Sequence, residues 1–107
     1  MPKRPSKRDC QRGHALRRAK ERYGIAEPEI KKIRSTILGG HEGVVVFAEK
    51  QSLRLTRFVV ELEGQHYPVV YDRIRKSIVT FLPKEAIDYE NKTFKPKDQS
   101  YNDRYFR

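Results

Sequence analysis

The feature that most constrains this chain is its change of period at Gly39-Gly40. Before that pair, apolar residues recur at helical spacing. After it they come in β-branched runs separated by turn residues. A chain that switches once in this way is expected to be α+β, with two N-terminal helices packed on a twisted antiparallel sheet of about four strands.

The first helix is expected from about Arg12 to Tyr23. Leu16, Ala19 and Tyr23 fall there at i, i+3 and i+7, and Gly24 stops the helix by tolerating a left-handed conformation. In the second, Pro28 suits a first helical position, and Glu27 and Glu29 suit the positive end of the dipole. Ile30, Ile33, Ile37 and Leu38 form its buried stripe. Strands are expected over Gly43–Glu49, Leu55–Glu63, His66–Asp72 and Ser77–Leu82. Gly64-Gln65 suits a two-residue hairpin of the type that takes glycine first, which sets Phe58 opposite Tyr71 and Val60 opposite Val69. Pairing Arg73 with Lys76 sets Val69 opposite Thr80 and Tyr71 opposite Ile78. One sheet face then carries Phe58, Val60, Leu62, Tyr67, Val69, Tyr71, Ile78, Thr80 and Leu82. The other is mixed with an apolar centre, so alternation does not settle which face meets the helices.

Around this core the expected organisation is a flexible basic arm at 1–11, a single α+β domain at 12–83 and a polar C-terminal extension at 84–107. Charged and hydrophobic residues each make up 36% of the chain, which leaves enough apolar material for one modest core. The single cysteine, Cys10, excludes an internal disulfide and fits a reducing, cytoplasmic setting. No apolar run approaches a membrane span, and no Cys/His cluster has metal-ligand spacing, so neither a membrane partner, a metal nor another cofactor is expected.

Charge points to the partner. Up to Arg34 there are twelve basic and four acidic residues, so +8 of the net +10 lies in the first third. A polyanion, RNA or DNA, is the expected ligand class, because each neutralised phosphate releases counterions. In the extension Tyr89, Phe94, Tyr101, Tyr105 and Phe106 alternate with basic residues, as base-stacking segments do. Its net charge is only +1, which favours a tail packed on the domain or mobile.

The first helix carries the candidate chemistry. His14, Arg17 and Arg18 are related by i+3 and i+4, Arg22 continues the same face, and all are expected to project away from Leu16 and Ala19. Cleavage of RNA by its own 2′-hydroxyl needs a base, an acid and positive charge for the phosphorane. A helix N-terminus and neighbouring cations both favour the neutral ring of His14, the form suited to a general base. The plain alternative is an exposed histidine in a solvated basic stripe. Tyr71 and Thr80 are expected to offer a hydroxyl pair, with Ser52 and Arg57 supplying polar and cationic groups for phosphate; each also reads as an ordinary core or edge residue. His41 and His66 receive no role.

The ordered series His14-Ala-x-Arg-Arg, Arg22-Tyr-Gly-Ile, Lys50-Gln-Ser, Thr56-Arg-Phe-x-Val, Pro68-Val-Val-Tyr-Asp and Ile78-Val-Thr-x-Leu-Pro resembles small, often phage-encoded proteins related to RelE-type toxins. These belong to the barnase, EndoU, colicin and RelE group of metal-independent ribonucleases. The resemblance covers Gly13 to Pro83. It implies RNA lying across the sheet and first helix, cleaved without metal to a 2′,3′-cyclic phosphate. It implies His14 as acid or base, Arg17 or Arg18 as phosphate ligand, and more weakly Ser52, Arg57, Tyr71 and Thr80. The leading expectation is therefore an endoribonuclease acting on structured or ribosome-associated RNA, with a protein inhibitor as a further partner. The alternative is a non-catalytic protein that binds nucleic acid or a host factor.

Overall fold

The computed structural model describes residues 7–95. Helix α1 (Lys7–Tyr23) and helix α2 (Glu27–Ile37) lead into four strands, β1 (Val44–Lys50), β2 (Leu55–Leu62), β3 (Gln65–Asp72) and β4 (Ser77–Phe81). These form one antiparallel sheet in sequence order. The expected α+β architecture of two helices on a four-stranded antiparallel sheet is what the chain adopts. A single 3₁₀ turn (Lys84–Ala86) then leads to a short hairpin, β5 (Ile87–Asp88) and β6 (Thr93–Phe94).

The helices stop where their sequence says they should. Gly24 has φ +64° and donates its N–H to the Lys20 carbonyl at 3.0 Å, the left-handed cap expected of it. At the start of α2, Glu29 Oε1 accepts the Ala26 N–H at 2.8 Å, occupying a donor that the helix leaves over. The start of α1 differs from expectation. The helix begins at Lys7, so residues 7–11 of the segment read as an arm are helical; the remainder of that arm, 1–6, lies outside the described residues. The buried stripe also shifts: Ala15 and Ala19 are buried and Tyr23 is half-buried, whereas Leu16 is 38% exposed beside the groove between the helices. Spacing of i, i+4, i+8 fits one helical face as well as i, i+3, i+7, and two alanines let α1 approach β4 closely.

The β2–β3 turn uses Glu63 and Gly64, both at positive φ (52° and 79°), instead of Gly64-Gln65. Pairing therefore slides by two residues: Glu61 faces His66, Val60 faces Tyr67, and Phe58 faces Val69. An even slide leaves every side chain on its expected face. Between β3 and β4 the turn-side pairs Tyr71–Ile78 and Asp72–Ser77 match expectation, but the register then shifts so that Val70 faces Thr80 and Val69 faces Phe81. Val79 is the extra residue of this irregularity, which carries Phe81 into the helix-side core and Leu82 into the other.

Both sheet faces are covered. Ala15, Ala19, Ile33, Val60, Leu62, Val69 and Phe81 fill the space under the helices. On the opposite face Val59, Val70, Val79 and Leu82 meet Ile87 and Phe94 of the terminal hairpin, with Phe47 against Phe94 at 5.6 Å between ring centroids. Residues 84–95, read as part of a polar extension, thus complete a second core. The rest of that extension, with Tyr101, Tyr105 and Phe106, lies outside the described residues. No helix among the described residues is long and apolar enough to cross a membrane.

Candidate active site at the junction of the first helix and the last sheet strand

Helix α1 lies along β4, an edge strand of the four-stranded sheet. His14 precedes the buried Ala15 by one position, so its ring sits at the flank of the buried stripe and not out in solvent. His14 Nε2 is 3.1 Å from Thr80 Oγ1. This contact corrects the expectation that His14 projects away from the packed side of the helix.

The ring's pKa falls from its ordinary 6.5 to about 4. Burial is the largest cause, since it penalises the charged form. The positive charges of Arg18 and Arg17 follow, Glu21 opposes them, and Arg22 adds a smaller push in the same direction. At neutral pH His14 is therefore an uncharged imidazole. Around it Arg17 is exposed, Arg18 Nη1 bonds Glu21 Oε1 at 2.9 Å, and Arg22 Nη1 donates to the Phe81 carbonyl at 3.1 Å. The three expected phosphate ligands of α1 thus accompany His14 along one stretch of helix.

A buried polar cluster fixes this stretch from below. Asp72 is 0% exposed and lies at the end of β3. Its carboxylate accepts from Arg54 Nε at 2.9 Å, Arg75 Nη1 at 3.2 Å, the backbone N–H groups of Ile74 and Arg75, and Gln11 Nε2 at 3.1 Å. Ser77 Oγ donates to Gln11 Oε1. Gln11 is one helical turn before His14, so the cluster ties α1 to the β3–β4 turn and sets where the histidine meets Thr80. A buried carboxylate is tolerable only with this number of partners. Sequence reasoning missed Gln11, Asp72, Arg75 and Ser77. The available signal was Asp72 at a strand end before a tight turn, where its side chain caps the following N–H groups.

The remaining expected site residues do not all converge. Tyr71 is buried in the helix-side core, edge-on to Phe58 with centroids 6.0 Å apart, and its strand partner is Ile78, with Thr80 paired to Val70. Ser52 caps the β1–β2 turn: its Oγ accepts from the Arg54 and Leu55 N–H groups at 3.3 and 3.0 Å. Two residues further on, Arg54 is the member of that loop that reaches the cluster. Arg57 lies on the opposite sheet face, paired with Glu49 and with its guanidinium 5.0 Å from the Phe94 ring centre. It does not join His14.

His66, given no role from the sequence, is held on that same opposite face. Its Nδ1 is 2.6 Å from Tyr89 Oη and its Nε2 is 3.1 Å from Glu61 Oε1. Among the described residues no group of three or more His, Cys, Asp or Glu side chains gathers to hold a metal ion.

Comparison with protein-family models, with curated proteins and with solved structures gives no match to this chain.

Proposed function

We propose that the protein is a metal-independent endoribonuclease of the RelE-like kind, cleaving RNA by attack of a 2′-hydroxyl on the adjacent phosphorus with His14 as the proton-transfer group. The observation that carries the reading is the 3.1 Å contact between His14 Nε2 and Thr80 Oγ1, which fixes the orientation of an uncharged imidazole beside Arg17 and Arg18. The neutral ring takes the 2′-hydroxyl proton as general base, Thr80 holds its orientation, and the leaving 5′-oxygen takes its proton from solvent water.

Arg17 and Arg18 stabilise the charge that builds on the phosphorane. A pKa of about 4 makes the resting ring a weak base. A bound phosphodiester brings a negative charge that offsets the arginines and raises the ring toward the working range. Substrate thus activates the base that consumes it. The strongly basic first third of the chain supports RNA as the substrate class, and structured or ribosome-associated RNA is the form proposed.

The test is incubation of the purified chain with end-labelled RNA in EDTA. Cleavage leaving 2′,3′-cyclic ends, lost by about 10²-fold or more in His14→Ala, is the expected result. Intact RNA, or cleavage unchanged in the variant, overturns the proposal; intact RNA that is nevertheless bound favours the non-catalytic binding protein.

A further inference from the structure

The cationic line on α1 continues past His14. At the C-terminal end of the helix an open pocket of about 860 Å³ is lined by Arg22, Tyr23, Tyr67, Lys84 and Glu85 among others. Its wall is aromatic. Tyr23 meets Tyr67 edge to face with 5.3 Å between centroids, and Lys84 Nζ stands 5.9 Å from the centre of the Tyr23 ring.

Several cations elsewhere on the surface are neutralised by carboxylates, although Arg34, like Arg22 here, meets a backbone carbonyl. Arg18 is set against Glu21, Arg57 against Glu49, Arg54 and Arg75 against Asp72, and Arg12 and Lys31 against Glu27. Arg22 and Lys84 instead meet neutral oxygens, the Phe81 carbonyl at 3.1 Å and Gln65 Oε1 at 3.3 Å. Neutral acceptors orient a cation without cancelling its charge. Among the described residues neither cation forms an ion pair with Glu85. Arg22 is two four-residue steps beyond His14 on the same helix face, about 12 Å along the axis at the usual helical rise. A single strand lying along α1 therefore passes from one site to the other.

We propose that this pocket is a subsite for single-stranded RNA, holding a nucleotide adjacent to the one cleaved at His14, with its phosphate on Arg22 and Lys84 and its base against the Tyr23 ring. Aromatic faces beside unneutralised cations suit this ligand, since bases stack without regard to sequence while phosphates take charge-assisted hydrogen bonds. The placement next to the cleaved nucleotide rests on the nuclease reading; the binding itself does not.

The experiment uses the full chain carrying His14→Ala, so that RNA is bound without being cut. Fluorescence anisotropy with a labelled oligo(A) hexaribonucleotide measures affinity across a salt series. Adding Lys84→Ala is expected to weaken binding about fivefold and to reduce the salt slope by about one. Adding Glu85→Gln is expected to tighten it, a gain that misfolding does not produce. Binding indifferent to both changes overturns the subsite, and leaves the nuclease reading intact if the native chain still cuts RNA through His14. Binding that depends on Lys84 in a chain that never cleaves RNA keeps the pocket as an RNA site and overturns its place beside a cleaved nucleotide.

Discussion

The two faces of the sheet hold one histidine each, and the surroundings of the two rings are opposite. On the helix side His14 is half-buried against Thr80, and three of the four charged groups acting on it are arginines. On the hairpin side His66 lies between the Glu61 carboxylate and the Tyr89 hydroxyl, with its ring 5.6 Å from the Tyr89 ring. The same residue type is in one place stripped of its charge and set among arginines. In the other it is a fastener between the sheet and the terminal hairpin. What packs over each face makes the difference: a basic helix over one, an aromatic hairpin with acidic neighbours over the other.

The largest expected effect separates the faces by activity. His14→Ala removes the proposed proton-transfer group and should lower single-turnover RNA cleavage by about 10²- to 10⁴-fold, whereas His66→Ala should leave that rate within about threefold. A comparable loss in both variants would break the distinction drawn between them.

Phe94→Ala tests the hairpin side as structure. Phe94 is 4% exposed, packs on Phe47 and lies under the Arg57 guanidinium, so its truncation should cost about 3–5 kcal/mol in urea unfolding. Cleavage measured under conditions where the variant stays folded should persist. A variant that unfolds normally but cuts no RNA would move the active site to this face.

The pH dependence of stability sharpens the comparison further. With a folded pKa of about 4 against an ordinary 6.5, His14 stays neutral in the native chain while the unfolded chain takes up its proton. Stability from this group is complete above pH 6.5 and is lost as pH falls toward 4. The native chain should thus lose more stability between pH 7 and pH 4.5 than His14→Gln does, read as the difference between their thermal unfolding curves. Parallel losses would mean the ring is not held neutral. The smallest effect is expected at the fastener: His66→Ala should cost about 1 kcal/mol or less, since its contacts are near the surface.

Much of the helical half was legible in the sequence because its signals are local. Gly24 and Gly39, both at positive φ, end the helices by their backbone freedom, and Glu29 suits the positive end of α2. The strands were legible from β-branched runs, and so was the presence of His14 on a basic helix. Registers were not. Whether a turn uses Glu63-Gly64 or Gly64-Gln65 is a choice between near-equal local options, decided by how the whole strand packs.

By itself, then, the sequence determined the α+β class, the order of elements, the concentration of positive charge on the first helix and the histidine among its arginines. These follow from periodicity and composition, which act over a few residues. Tertiary structure decided that α1 presents Ala15 and Ala19 to β4, that His14 meets Thr80, and that Asp72 gathers Gln11, Arg54 and Arg75. It also decided that Arg57 is set apart from them across the sheet. Those outcomes join residues up to 66 positions apart in the chain. Their partners are selected by burial and by the need to satisfy every buried polar group, constraints that exist only once the chain has closed on itself.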